Sequence, residues 1–351
     1  MSNIAVARGG VGRALAAWLL VTSTAFGQTG SFDWATGGQA LGSYAGLSWA
    51  NVTVSSPRNM RINALRIDTA TPGLRFYTTA QSGTLDTMTQ TTRQFITASQ
   101  TTSAPVVAGI NATPWTPFNS SEWNQSKPAN LQGLAVSQGS LVSAGDGSPA
   151  FFTTTSGAAG MATWSGTSIG GLQTAVSGFG YVLGSGSAIA GDASLHPRTG
   201  IGVSQDKRYV YFMTIDGRQT ASAGATTQEV GSYLRYFGSY DGINMDGGGS
   251  TTMAWWNPAT SAAALLNVPV GTGLVPNTER HNGNNIGIYY TTVPPPTAGS
   301  SVAILTSGSS FTPAGWSNLA QTYVGLAATK NTSNTDTRMV GIRQDGGVDI
   351  L

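Results

Sequence analysis

The stretch Asn244-Met245-Asp246-Gly247-Gly248-Gly249-Ser250 constrains the fold of this 351-residue chain more than any other. Three glycines in succession neither sustain a helix nor pack a strand, so the backbone has to change direction there. Upstream, Ile243 and Met245 alternate with Asn244 as one face of a strand. Downstream, Ser250, Thr251 and Thr252 supply hydroxyls. Bare amides beside those hydroxyls predict a concave anion-binding nest, with the Asp246 carboxylate at its lip. The spacing excludes a P-loop, which needs a Lys after the glycines, and a nucleophile elbow, which needs GxSxG. A glycine-rich hairpin turn without chemistry remains the alternative reading of this stretch.

Composition sets the class. With 47 Gly, 15 Pro and only 9% charged residues, the chain reads as a loop-rich, β-containing extracellular protein. A net charge of +2, dispersed along the sequence, excludes the basic footprint of a nucleic-acid binder or of a protein held on an anionic membrane. Residues 1–27 have the form of a signal peptide. Arg8 and Arg13 precede the apolar run Ala14–Val21, and Ala25-Phe26-Gly27 offers small residues before Gln28. That run falls short of the roughly 20 residues a spanning helix needs, and no later segment reads as transmembrane. Cysteine is absent. Its absence excludes thiol catalysis and, beside an export signal, predicts a bacterial protein that is secreted or periplasmic.

The expected fold is α+β: a curved, mostly antiparallel β-sheet core with a few packed helices, because hairpin signals outnumber crossover helices. The main domain is expected over 28–293, a Pro-rich linker over 294–297 and a small β-rich tail over 298–351. Strands are predicted within Leu47–Tyr77, at Ala104–Asn111, from Ile201 and at Tyr209–Ile215. A first helix is expected over Asp86–Ser99. The strongest helix follows Thr226, where Thr226 and Glu229 have capping-box spacing, Val230, Tyr233, Leu234 and Phe237 repeat on one face, and Gly238 closes it.

Few residues are available for acid–base work. Only Glu122, Glu229 and Glu279 are glutamates, and Glu229 is explained as a cap. The two histidines each neighbour an arginine, His196 near Arg198 and His281 beside Arg280. Guanidinium forks bind phosphate oxygens bidentately, which makes Arg198 and Arg280 candidate phosphate ligands; a pair of structural salt bridges is the competing reading. Trp115 and Phe118 follow a buried strand in a proline-stiffened loop, either as a stacking wall for a sugar ring or as a small satellite core. Two histidines cannot close a zinc shell, whereas a hard divalent cation such as calcium, held by Asp and Asn oxygens, is compatible with the residues.

Taken together, His196-Pro-Arg-Thr-Gly-Ile-Gly-Val203, Thr214-Ile-Asp-Gly-Arg218, Gly242-Ile-Asn-Met-Asp-Gly-Gly-Gly-Ser-Thr-Thr-Met253 and Thr278-Glu-Arg-His-Asn282 through Asn285 resemble the phosphodiester glycosidase family. The resemblance covers roughly 104–290. It implies hydrolysis of the bond between a sugar anomeric carbon and a phosphodiester, at a site drawn from Arg198, Thr199, Asp216, Asp246, Gly247, Gly248, Ser250, Thr251, Glu279 and Arg280. Asn111 is kept from the family pattern, but Pro114-Trp115 replaces its usual Gly-Phe-Phe-like continuation and is expected to reshape the sugar subsite.

On this reading Arg198 and Arg280 hold the phosphate, aided by the Gly248 and Ser250 amides. Asp246 serves as the catalytic carboxylate, Glu279 stands second and Asp216 is a further member, with Asn111, Trp115 and His281 on the substrate side. The substrate is a carbohydrate or glycosyl phosphodiester of an envelope or extracellular glycan. Two other classes stay open: a non-catalytic glycan-binding or matrix protein on the same fold, and a glycosidase with a different leaving group that uses His196 or His281 as acid or base.

Overall fold

The structure is a computed structural model that describes residues 30–116 and 124–291, together with the strands Leu19–Leu20, Tyr323–Lys330, Thr337–Arg343 and Val348–Ile350. Contacts divide the chain into two units, 1–291 and 292–351. In the second, the three strands form an antiparallel sheet. Apart from Leu19–Leu20, the expected leader lies outside the described residues, as do the proline linker and Phe118.

The first unit is mostly antiparallel, with helices laid on its sheets. One sheet runs in the order Leu47–Val54, Met60–Asp68, Tyr209–Ile215, Arg198–Val203, Asp241–Asn244, Gly180–Gly184 and Ser187–Ala188. A second runs Ala262–Leu265, Met253–Asn257, Ala108–Asn111, Asn285–Tyr290 and Leu74–Thr78. Their facing sides share one core: Leu65, Ile201, Val203, Phe212 and Ile243 from the first meet Phe76, Ile110, Met253, Ile286 and Ile288 from the second. Burying such side chains is worth about 1.5–3 kcal/mol each, so this interface dominates the stability of the unit. A third, five-stranded sheet is built from Ala135–Ser137, Ser140–Ser143, Gly145–Thr154, Ala159–Gly166 and Leu172–Ser177.

Each outer face is closed by a helix. Thr227–Phe237 packs Val230, Leu234 and Phe237 against Ile62, Met213 and Ile215 of the first sheet. The capping box formed by Thr226 and Glu229 is present, and Gly238 ends the helix at φ +115°. The neighbouring strand is buried on both sides along its whole length, which explains its two glycines: a Cβ on Gly200 would stand 3.0 Å from Val230, and one on Gly202 only 2.1 Å from the Ser239 hydroxyl. The second helix is shorter than expected, Thr92–Ser99, with Phe95 and Ile96 on the second sheet. Thr91 and Gln94 make its capping box, so the chain before it cannot continue the helix; Thr87–Met88 is instead a short strand paired with Pro128–Ala129.

Asp241–Asn244 belongs to the first sheet and Met253–Asn257 to the second, so the segment carrying the three glycines is the crossing between the two layers. A chain leaving one sheet for the other must turn sharply within a few residues, and here it does so through a single 3₁₀ turn, Gly248–Ser250.

Candidate active site

Asn111 pins the crossing. It ends the central strand of the second sheet, donates through Nδ2 to the Asp246 carbonyl at 2.6 Å, and accepts at Oδ1 from the Thr252 amide at 3.1 Å and the Thr199 hydroxyl at 2.8 Å. One buried side chain thereby holds both limbs of the glycine segment and ties them to the first sheet. Asp216 braces the far limb. Its carboxylate, fully buried, accepts from Asn267 Nδ2 at 3.0 Å and from the Val268 amide at 3.2 Å. Asn267 in turn donates to the Thr251 carbonyl at 3.1 Å and accepts from the Met253 amide at 2.8 Å. Burial pushes the Asp216 carboxyl up to about 7, against the pull of these donors and of Arg61 at 3.9 Å.

The Asp246 side chain sits at the start of the turn, 14% exposed. Oδ1 accepts from the Gly247 amide at 2.9 Å, and Oδ2 faces the Arg280 guanidinium at 3.7 Å. Burial raises its pKa, while Arg280, Ser250, the Gly247 amide and Trp115 all favour the charged form. Arg280 is itself buried, donating through Nε to the Ser250 hydroxyl at 3.1 Å and through a second nitrogen to the same oxygen. A single ion pair, Asp246 with Arg280, is therefore locked by Ser250 from within the turn.

The structure corrects the expected amide nest. The Gly247 amide is taken by Asp246, Gly248 donates to the Pro197 carbonyl at 2.9 Å, and Ser250 and Thr251 donate back into the turn at 3.2 Å each. With these four amides engaged, the positive charge at the turn comes from side chains. The glycines serve close approach instead. A Cβ on Gly249 would lie 2.4 Å from the Gly271 carbonyl, and Gly248 has φ +62°.

The two expected phosphate ligands do not converge. Arg198 turns toward the Thr227–Phe237 helix, with Nε on the Ala225 carbonyl at 3.0 Å and one terminal nitrogen on Asp192 at 2.7 Å and the Ser194 carbonyl at 2.9 Å. The second guanidinium at the glycine turn belongs to Arg218, whose nitrogens stand 3.3 and 3.5 Å from where a Gly248 Cβ would be. Arg218 is exposed, has φ +58° and lies near enough to Arg280 to lower the latter's pKa. It also donates to His196 Nδ1 at 3.2 Å, which leaves that nitrogen as an acceptor and the imidazole neutral; burial, Arg198 and Arg218 all lower the His196 pKa. Among the candidate site residues read from the sequence, Arg218 was missed. The available signal was that one of the shared motifs ends on it.

Glu279 and His281 face away from Asp246. The Glu279 side chain, 3% exposed, accepts from the Arg93 amide at 3.1 Å and pairs with the Arg93 guanidinium. His281 Nδ1 meets the Thr89 carbonyl at 3.2 Å. Glu279 is engaged by Arg93, and Asp216 by Asn267 and Val268; neither shares a described hydrogen bond or ion pair with Asp246. Trp115 packs with Leu131, Ala135 and Val142 while its side chain donates toward Asp246, combining the core and site roles. Among the described residues no three His, Asp or Glu side chains gather as a metal site.

The layer crossing thus carries an acid paired with one guanidinium, that of Arg280, and a second guanidinium, that of Arg218, over Gly248. The chain belongs to the phosphodiester glycosidase family, whose model matches residues 104–289. The family is one of glycosidase-type hydrolases.

Among solved structures, it is 15% identical to the catalytic domain of zebrafish N-acetylglucosamine-1-phosphodiester alpha-N-acetylglucosaminidase, auto-inhibited by its pro-peptide. The match covers 75% of this chain and 87% of that one at a TM-score of 0.50, a likeness of fold. It is 14% identical to a hypothetical protein from Synechocystis over 70% of this chain, with a TM-score of 0.48, and spans 62% of that protein's length. No curated protein matches. Among the described residues no helix is long and apolar enough to cross a membrane.

Proposed function

We propose that this protein is an exported hydrolase that cleaves the bond between a sugar anomeric carbon and a phosphodiester in an envelope or extracellular glycan. The observation that carries the reading is the Asp246–Arg280 pair, closed by Ser250 and overlooked by Arg218 across Gly248. The phosphodiester oxygens lie between Arg218 and Arg280, where fork-shaped donors in a partly dry site stabilise the charge that builds as the phosphate leaves. Water adds to the anomeric carbon, the carbon–oxygen bond to phosphorus breaks, and its electron pair departs with the phosphate. Asp246 takes the water proton or steadies the positive sugar carbon. The departing group is a phosphate monoester dianion, whose conjugate acid ionises near pH ~6, so it leaves readily and a second carboxylate acting as general acid is dispensable. The leader-like residues 1–27 support export.

Release of sugar from UDP-N-acetylglucosamine and from simple glycosyl phosphodiesters tests the proposal. Wild-type protein turns over at least one of them and Asp246→Asn does not. Absence of turnover on every phosphodiester, or full activity in Asp246→Asn, overturns it.

A further inference from the structure

Beside the reaction centre, on the opposite side of the Glu279–His281 segment, lies an open depression of about 860 Å³. Arg280 reaches Ser250 and Asp246 from one side of that segment, while Glu279 and His281 line the depression on the other. Consecutive residues of one segment thus serve the two regions. The far wall is the Thr92–Ser99 helix with Arg93 and Thr97, and Gln90, Trp256 and Ser261 are among the other lining residues.

The chemistry of this surface is distinctive. Its charged members, Arg93 and Glu279, neutralise each other, and burial lowers the His281 pKa. What remains are hydroxyls and amides, with the methyl groups of Ala98, Ala262 and Ala263, around a half-buried indole. Gln90, Thr97 and Ser261 make no side-chain hydrogen bond among the described residues, so their donors and acceptors are available to a ligand. Paired donor–acceptor groups beside an aromatic face suit a hydroxylated ring, which offers polar edges and an apolar C–H face. An anion would gain no net attraction from a neutralised pair, and a lipid chain would strand the exposed polar groups.

We infer that this groove is a saccharide subsite that holds uncharged sugar residues of a longer glycan next to the scissile phosphodiester. The inference rests on the reading of the Asp246 centre for its purpose, though not for its ligand chemistry. It makes the substrate a polymer or oligosaccharide carrying the phosphodiester, with recognition divided between charge at one site and hydroxyl pairing plus stacking at the other.

The test screens full-length Asp246→Asn protein on an array of neutral and anionic oligosaccharides and titrates the strongest binder by calorimetry. Neutral oligosaccharides are retained, and affinity falls at least tenfold in Gln90→Ala and in Trp256→Ala. Trp256 also packs against the core under the helix, so Thr97→Trp provides a second variant that fills the groove without hollowing the core and likewise abolishes binding. In an otherwise wild-type background the same three substitutions leave UDP-N-acetylglucosamine turnover within twofold. Retention of no saccharide, preference for anionic ones, or unchanged affinity in Thr97→Trp overturns the inference. Absence of turnover with groove-dependent sugar binding intact instead rejects only the reading of the Asp246 centre.

Discussion

Arg218 lies across Gly248, its guanidinium nitrogens 3.3 and 3.5 Å from the position a Cβ would take there. Because Gly248 also has φ +62°, an alanine meets both a strained backbone, costing about 1–2 kcal/mol, and the side chain that oversees the turn. Gly248→Ala is expected to lower the melting temperature modestly. It also displaces Arg218, so kcat/KM on a glycosyl phosphodiester falls by about tenfold or more, equivalent to about 1.4 kcal/mol of transition-state binding. Thermal melts and steady-state kinetics on the same preparation check both effects.

The two arginines that the sequence offers for one role are expected to separate under mutation. Arg218→Ala removes an exposed side chain and leaves stability within about 0.5 kcal/mol, while activity falls by about a hundredfold. Arg198→Ala strips a donor from two carbonyls and Asp192 and costs about 1–3 kcal/mol of stability. Equal loss of stability in both variants contradicts the assignment.

Asp246 depends on its partner for its charge. Arg280→Met leaves a buried carboxylate without its cation and is expected to cost about 3–5 kcal/mol, read as a lower urea midpoint at unchanged slope. Arg280→Lys restores the charge without the fork that meets Ser250, and recovers stability more than activity.

Asp216 gives the protein a pH dependence of stability with a defined sign. Its pKa is raised from the ordinary carboxylate value to about 7 by burial. The folded state therefore holds a proton that the unfolded chain releases above pH ~4. Its contribution is full below that pH and is lost as pH climbs through about 7. Asp216→Asn is expected to flatten the fall in urea midpoint between pH ~4 and 7. A difference curve against wild type isolates this group from Asp246, whose pKa is raised in the same direction. An unchanged slope rejects the account.

Local sequence was sufficient for whatever depends on neighbours along the chain. The capping box at Thr226 and Glu229, the helix end at Gly238 and the strands from Ile201 and at Tyr209–Ile215 follow from spacing and turn chemistry; the structure forms each, with the first of the two strands starting earlier, at Arg198. The start of the first helix was misplaced because Thr87 and Met88 pair with a strand some forty residues on, a contact with no local signature. The tail's strand character was legible in its composition as well.

By itself the sequence determined that the backbone turns at three glycines after Asp246, and which residue types surround that turn. Only the tertiary structure decided which cation attends it. Arg198 sits on a strand adjacent to the crossing, yet its guanidinium is drawn off by Asp192 and two carbonyls beside the helix, while Arg218, held by a left-handed backbone at the next strand's end, swings over Gly248. In the same way, only folding shows that Arg280 is directed to Ser250 while the adjoining Glu279 is directed to Arg93. A side chain's direction is settled by acceptors that folding brings to it, and those are not adjacent in the chain.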